Sequence, residues 1–453
     1  VTQLPTPVMP CGAFPAVSPV KIDVAKRSTT PVAAGRARIV SAFDPEPLSV
    51  PVSPTTQPPT RHISNPGAPV AGVPRAVPSP AQEPEQPPLQ GRVLHAPASG
   101  RTYVCEDVVG TGAFSTVARA RDAADPASEV AVKIVSFPRD GSTSVSSFRA
   151  FIVRELGLLA HLHHPCIVTL LDYSVTPLIT PSQIRASYDN GGSPPVAEDL
   201  SQTADAQQLF FLGYCRGGNL FSWLSAHYHG SSRTLRFWQL VARVVAEVVV
   251  AVVHMHRQRI IHRDIKLENV LLNERFVCTG PAPDPRRSSR PVATITDFGL
   301  SKRLASHDQL LSTKCGSQDY VSPELLMGLH YSGKLLDAWA LGVLVYSIIE
   351  NRLPFDMPSP DLLQQAGVSP SAPRRRRSRH SPAHRIAMID WEWYRAVAIR
   401  HDNDMDPEAR KIVGDLQALV DTFLVRKEKR PTVEEALETD AFAWIKECVP
   451  SHF

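Results

Sequence analysis

From residue 100 onward the hydrophobic positions fall in short β-branched and aromatic runs, Tyr103 to Val109, Thr116 to Arg121 and Val130 to Phe137, separated by turn residues. Runs of that kind predict three antiparallel strands. A helix is predicted over Ser147 to Leu162, followed by two more strands, Ile167 to Tyr173 and Gln208 to Cys215. Beyond them the apolar spacing turns helical, at Leu220 to His227, Phe237 to His256, Asp337 to Glu350 and Asp415 to Leu424. A small β-rich lobe ahead of a larger helical one is an α+β layout. The longest apolar stretch, Phe237 to Val253, contains Arg243 and Glu247 and falls short of the roughly 20 uninterrupted apolar residues of a membrane span. It predicts a buried core helix, and no membrane partner is expected.

Residues 1–99 lack this periodicity and hold 21 of the 42 prolines. Such a segment buries too little surface to offset its ordering entropy, so a disordered Pro-rich tail is expected. Its Ser-Pro and Thr-Pro steps at Thr6, Ser18, Thr30, Ser53 and Ser79 leave two readings open, a solvated tail or a target of proline-directed kinases. Prolines interrupt every apolar run near Val1, and no secretory leader is expected there. Three low-complexity stretches, 174–207, 274–292 and 357–388, break the later pattern. They are expected to be insertions without structure of their own in a single catalytic domain, 100–448, whose lobes meet between 213 and 214. No internal repeat is apparent.

The formal charge is +4, but residues 357–388 alone hold six Arg against one Asp. The basic balance is therefore one local patch, and direct nucleic-acid binding is not expected. That patch, Arg374 to Arg377 with Arg379, reads as a solvated loop, a nuclear-import signal or an acidic-partner site; its Arg-rich flank, like that of Ser288, makes Ser378 a candidate phosphate acceptor. The seven cysteines are scattered and form no Cys-x-x-Cys pair. They read as reduced thiols, with cytoplasmic or nuclear placement expected.

Chemistry enters with Val109-Gly110-Thr111-Gly112-Ala113-Phe114-Ser115-Thr116-Val117, glycines set between two strands where backbone amides can face phosphates. A plain hairpin turn is the other reading. Sixteen residues after Val117 comes Lys133, a cation in an apolar strand that is costly unless paired, with Glu155 on the next helix as its candidate partner. His262-Arg263-Asp264-Ile265-Lys266-Leu267-Glu268-Asn269 follows the core helix, and Thr296-Asp297-Phe298-Gly299 follows the next strand pair. In that order these motifs resemble the eukaryotic protein kinases, over residues 100 to about 448.

The resemblance implies a bilobal fold, ATP and Mg²⁺ as cofactors, and protein substrates with Ser or Thr acceptors. It implies that Asp264 orients the substrate hydroxyl and that Lys133, paired to Glu155, holds the α- and β-phosphates. Asn269 and Asp297 would hold Mg²⁺, and Lys266 would neutralise the transferred group; a lysine at that spacing looks like the serine/threonine kinases. Val117, Ala131 and Leu271 match the apolar walls around adenine, and Gly213 and Cys215 match the hinge whose backbone contacts it. Leu159, Leu170, His262 and Phe298 match the internal stack of the active state. Asp337, Trp339 and Gly342 match the helix that anchors the catalytic loop, and Glu324 with Arg430 matches the ion pair bracing the large lobe.

Several positions depart from the family pattern. Ser115 replaces the third loop glycine, Gly213 an acidic hinge residue, Asn219 the carboxylate that often binds ribose, and Ser347 another acidic residue used for arginine selection. With Glu268 alone left of that acidic set, strong selection for substrate arginines is not expected. The run Thr313 to Glu324 looks like the activation segment of calmodulin-dependent and AMP-activated types, especially their fungal allies. Thr313 then matches a regulatory threonine served by an upstream activating kinase, with Arg263 and Lys302 as the cations that clamp its phosphate. A catalytically weak pseudokinase scaffold is the competing class, and a small-molecule kinase is disfavoured by the protein-substrate platform at Ser317 and Tyr320 to Glu324.

Overall fold

The five predicted strands and one further strand ahead of them pair into one antiparallel sheet of six: β1 (Val93–Ala96), β2 (Arg101–Thr111), β3 (Ser115–Asp122), β4 (Glu129–Val135), β5 (Leu170–Ser174) and β6 (Gln208–Gly213), in the order β1-β2-β3-β4-β6-β5. The structure is a computed structural model and describes residues 89–112, 114–138, 143–189, 206–278, 283–359, 362 and 381–453. Between β4 and β5 runs α1 (Val145–His161), started by Ser144, whose side chain accepts from the Ser147 amide at 3.2 Å. It buries Phe148, Ile152, Leu156 and Leu159 against the sheet and the second lobe. A further helix, α2 (Pro181–Asp189), follows β5.

The second lobe is helical. It contains α3 (Leu220–Ser231), α4 (Leu235–Arg257), α5 (Pro323–Leu326), α6 (Gly333–Glu350), α7 (Pro382–Met388), α8 (Arg395–His401), α9 (Pro407–Phe423), α10 (Val433–Leu437) and α11 (Ala443–Cys448). It also holds three short strand pairs: β7 (Ile260–Ile261) with β10 (Lys302–Arg303), β8 (Val270–Leu272) with β9 (Ala293–Ile295), and β11 (Leu310–Leu311) with β12 (Tyr331–Ser332). This is the bilobal α+β fold expected.

The longest apolar helix, α4, is the axis of that lobe and has 17 of its 23 residues buried. Its two charged interruptions serve as fasteners. Arg243 and Glu247, fully buried, pair at 2.6 Å; Glu247 also accepts from the amides of Val292 and Ala293, and Arg243 donates to the carbonyls of Arg286, Arg290 and Cys448. A buried pair is tolerable when its remaining donors and acceptors are met in this way.

Four expectations are corrected. The tail does not reach residue 99: β1 pairs with β2 from Val93↔Val104 to Ala96↔Arg101, and Leu94 and Ala96 enter the core of the small lobe. Four residues of alternation were too short to stand out beside the prolines. The stretch 174–207 carries α2 and buries Val175, Ile179 and Ile184, although 190–205 lie outside the described residues. In 274–292 a 3₁₀ turn at Pro285–Arg287 is docked by Arg243, and 357–388 ends in α7, which Ser381 caps. Residues 1–88 and the basic run Arg374 to Arg377 with Ser378 and Arg379 lie outside the described residues. The six cysteines among the described residues are free.

Because Leu94 is 3% exposed, Leu94→Ala in the full chain is expected to destabilise the fold by about 2–4 kcal/mol. Urea denaturation measures this; an unchanged midpoint would return residues 89–99 to the tail.

Candidate active site

Alternation along β4 sends Val132 and Ile134 into the core of the small lobe and Lys133 to the opposite face, toward α1. There the Lys133 Nζ lies 2.6 Å from Glu155 Oε1 and 3.2 Å from Asp297 Oδ1. Burial opposes the lysine charge, but the Glu155 and Asp297 carboxylates outweigh it and hold Lys133 above the ordinary lysine range. The Lys133 cation in turn depresses Asp297 to about 2. Asp297 has a left-handed backbone, φ 66°, an unusual state for a residue with a side chain, and its carboxylate is half exposed toward the cleft.

The second centre is built around Asp337 on α6, fully buried. One of its oxygens accepts from the His262 amide and faces His256 Nε2, each at 2.9 Å, while the other accepts from the Arg263 amide at 2.8 Å. These bonds fix a turn in which Arg263 takes φ 67°. The turn presents Asp264, whose carboxylate receives Lys266 Nζ at 2.6 Å, Asn269 Nδ2 at 3.0 Å, Ser317 Oγ at 2.8 Å and the Ser317 amide at 3.2 Å. Lys266 also donates to Ser317 Oγ at 3.0 Å. The activation segment can come this close because residue 316 is glycine: with φ +101°, a Cβ there would lie 2.7 Å from the Arg263 carbonyl oxygen.

The Gly-rich segment is the β2–β3 hairpin, with Gly110 opposite Val117, Thr111 opposite Thr116 and the Gly112 amide donating to the Ser115 carbonyl at 2.7 Å. The turn reading and the phosphate-loop reading thus describe the same piece of chain. Val109 and Gly112 are exposed, Phe114 and Ser115 half-buried, and Ala113 lies outside the described residues. Behind the loop Val117, Ala131 and Leu271 are half-buried, as apolar walls of an open cleft would be. Gly213 closes β6 opposite Val130, and Cys215, raised to about 11 by burial, donates its thiol to Asn273 Oδ1.

Two departures from the family pattern have visible consequences. Asn219 spends its side-chain oxygen on the Ser222 amide, capping α3 at 2.8 Å. Ser347 is buried within α6 and donates to the Val343 carbonyl at 2.7 Å. Glu268 remains beside the cleft, raised by burial, with Lys266 pulling the other way.

His262 and Phe298 meet edge to face at 5.2 Å, and Leu159 and Leu170 belong to the same core. Arg430 donates to Glu324 at 2.7 Å while its guanidinium lies 4.7 Å over the Trp339 ring. Thr313 is held through its carbonyl, which accepts from the Tyr331 hydroxyl at 2.7 Å; Arg263 is an electrostatic neighbour of the same phenol and donates to the Leu300 carbonyl. Lys302 is joined to the catalytic loop by its backbone pairing with Ile261. Sequence reasoning missed His256 and the two hydrogen bonds that Ser317 donates to Asp264. Neither is adjacent to its partner along the chain, and no local spacing announces them.

The donor set suits a hard cation. Asn269 commits its amide nitrogen to the carbonyl and carboxylate of Asp264, at 2.8 and 3.0 Å, which leaves the amide oxygen for a metal beside the exposed Asp297 carboxylate.

A paired strand lysine above the cleft and a braced aspartate below it are the arrangement that the resemblance to protein kinases implied. Residues 103–442 match the protein kinase domain family, and the chain belongs to that family, in its serine/threonine division. Among curated proteins it is similar to serine/threonine-protein kinase PRR1 of Saccharomyces cerevisiae, 34% identical over 349 residues that cover 73% of this chain and 60% of that one. It is 29% identical to serine/threonine-protein kinase ppk27 of Schizosaccharomyces pombe, over 63% of this chain and 59% of that protein. NUAK family SNF1-like kinase 1 of Mus musculus is 28% identical over 64% of this chain and 36% of its own length. The chain thus spans about three fifths of the fungal relatives.

Asp337→Ala would strand two buried amides and His256 together, so it is expected to cost about 3–5 kcal/mol of stability. Denaturant titration checks this. A cost below about 1 kcal/mol would mean that the catalytic loop is held by something else.

Proposed function

We propose that this protein transfers the γ-phosphoryl group of ATP to serine and threonine hydroxyls of proteins. The observation that carries the reading is the convergence on Asp264 of Lys266, Asn269 and Ser317, facing a cleft whose other wall holds the Lys133, Glu155 and Asp297 cluster. Family membership implies ATP and Mg²⁺ use in general; the assignment of individual residues is ours.

Lys133, kept cationic by its two carboxylates, neutralises the α- and β-phosphates, and the backbone of residues 110–115 covers them. Asp297 and Asn269 would hold Mg²⁺, which when bound supplies charge neutralisation for the phosphates. Asp264 accepts the proton of the acceptor hydroxyl as its oxygen forms the new bond to phosphorus. The bond from phosphorus to the β-phosphate oxygen breaks, and ADP leaves. Lys266, 2.6 Å from Asp264, offsets the charge that grows on the moving group. The protein's work is thus positioning and electrostatic stabilisation.

Control of this cleft is proposed to run through Thr313. Phosphate there would add about two negative charges beside Arg263 and order the activation segment against the catalytic loop. An upstream kinase supplies that modification, and a cytoplasmic or nuclear setting is proposed with it.

Purified protein given labelled Mg-ATP and a generic basic protein is expected to transfer label, and Asp264→Asn is expected to lower kcat by roughly 10²–10⁴-fold. Silence from wild-type protein that is folded and phosphorylated at Thr313 would favour the scaffold class. Separately, Thr313→Ala in protein purified from its native cell is expected to reduce activity at least about tenfold; unchanged activity would remove Thr313 from regulation.

A further inference from the structure

The stretch expected to be a structureless insertion packs its helix against the helix that carries Glu155. Gly157, two residues beyond Glu155, lies where α2 passes: a Cβ at that position would be 3.6 Å from the Ile184 carbonyl oxygen and 3.7 Å from Tyr188 Cβ. That leaves room for a methyl group and no more. One turn further along α1, the His161 ring stacks on the Tyr188 ring, with centroids 4.1 Å apart and planes 4° from parallel. His161 Nδ1 is in turn fixed 2.8 Å from the Gly157 carbonyl oxygen.

Tyr188 also reaches the segment that follows Asp297. The Arg303 guanidinium lies 4.3 Å over its ring, and Arg303 Nη1 donates to the carbonyls of Tyr188 at 3.0 Å and Asp189 at 3.3 Å. Those are the last two carbonyls of α2, where helix ends favour a cation. Arg303 belongs to β10, whose pairing with β7 leads straight into the catalytic loop. One turn earlier on α1, Arg154 donates to the Gly299 carbonyl at 3.3 Å. The contacts close a ring from Lys133 through Glu155 and α1 to α2, and from α2 through Arg303 back to the segment of Asp297.

We infer that α2 is a positioning element for phosphoryl transfer: its Tyr188, stacked on His161 and covered by Arg303, holds α1 in the place that keeps Glu155 2.6 Å from Lys133. Tyr188 touches no reacting atom and acts through α1. The short Lys133 to Glu155 contact is sensitive to any slide of the helix, and displacements of about 1 Å cost up to about a hundredfold in rate at such sites. The inference rests on the reading of Lys133 and Glu155 as the nucleotide-holding pair.

Four variants of the full chain test it, by kcat and KM for ATP and by hydrogen exchange of the amides of residues 150–161. Gly157→Ala and Gly157→Leu both raise the helix propensity of α1, but only the second is too large for the passage of α2. Gly157→Leu and Tyr188→Ala are expected to lower kcat at least about tenfold and to speed exchange in α1. Gly157→Ala and Tyr188→Phe, which keep the packing and the ring, are expected to stay within about twofold of wild type in both readouts. Wild-type behaviour of Gly157→Leu and Tyr188→Ala would overturn the inference, as would lost activity with unchanged exchange. If the wild type itself transfers no phosphate, the reading of the site fails, while exchange still decides whether α2 holds α1.

Discussion

A lysine ammonium facing inward from an apolar sheet is the constraint around which this structure is organised. Lys133 is tolerable there because Glu155 and Asp297, from two other parts of the chain, supply compensating charge within 2.6 and 3.2 Å. Meeting that demand fixes the angle of α1 against β4 and the left-handed backbone of Asp297 below it. It also leaves a carboxylate exposed toward the cleft and strongly acidic, suited to a cation. The proposed function and the packing are served by the same three residues.

The helical lobe solves a related problem with buried carboxylates. Asp337 holds two consecutive amides of a turn that would otherwise be strained at Arg263, Glu247 holds two amides where the 274–292 insertion ends, and Glu350 holds the amides of Tyr394, Arg395 and Ala396 at the start of α8. Each carboxylate converts an apolar core helix into a fixed point for a loop. Asp264 is presented by the first of these fixed points, which is why its neighbours can be placed so closely.

The catalytic motifs were legible because each is a short local string with the residue types its chemistry needs. The sheet was legible down to β2, and the helix starting at Pro407 was placed two turns late, because Asp415 to Leu424 carries the clearer apolar spacing. What stayed hidden was whatever depends on distant partners. Leu94 and Ala96 are core residues only because β2 lies beside them, and α2 has few apolar residues of its own, so its packing rests on Ile184 and on Tyr188 where it meets Gly157 of α1. Asn219 and Ser347 were legible as missing carboxylates, but their actual bonds, a helix cap and a helix-internal hydroxyl, follow from backbone geometry. His256 gave no local signal, and Ser317 was legible as part of a substrate platform but not as a hydrogen-bond partner of Asp264.

The central claim is that Asp297 and Asn269 make this cleft one that uses nucleotide with metal. Calorimetric titration of the full-length protein with ATP, with and without Mg²⁺, tests it without relying on a substrate. The account predicts that Mg²⁺ tightens ATP binding at least about tenfold, or about 1.4 kcal/mol, in the wild type, and that Asp297→Asn loses most of that gain. Equal affinity with and without Mg²⁺, in wild type and variant alike, would contradict it.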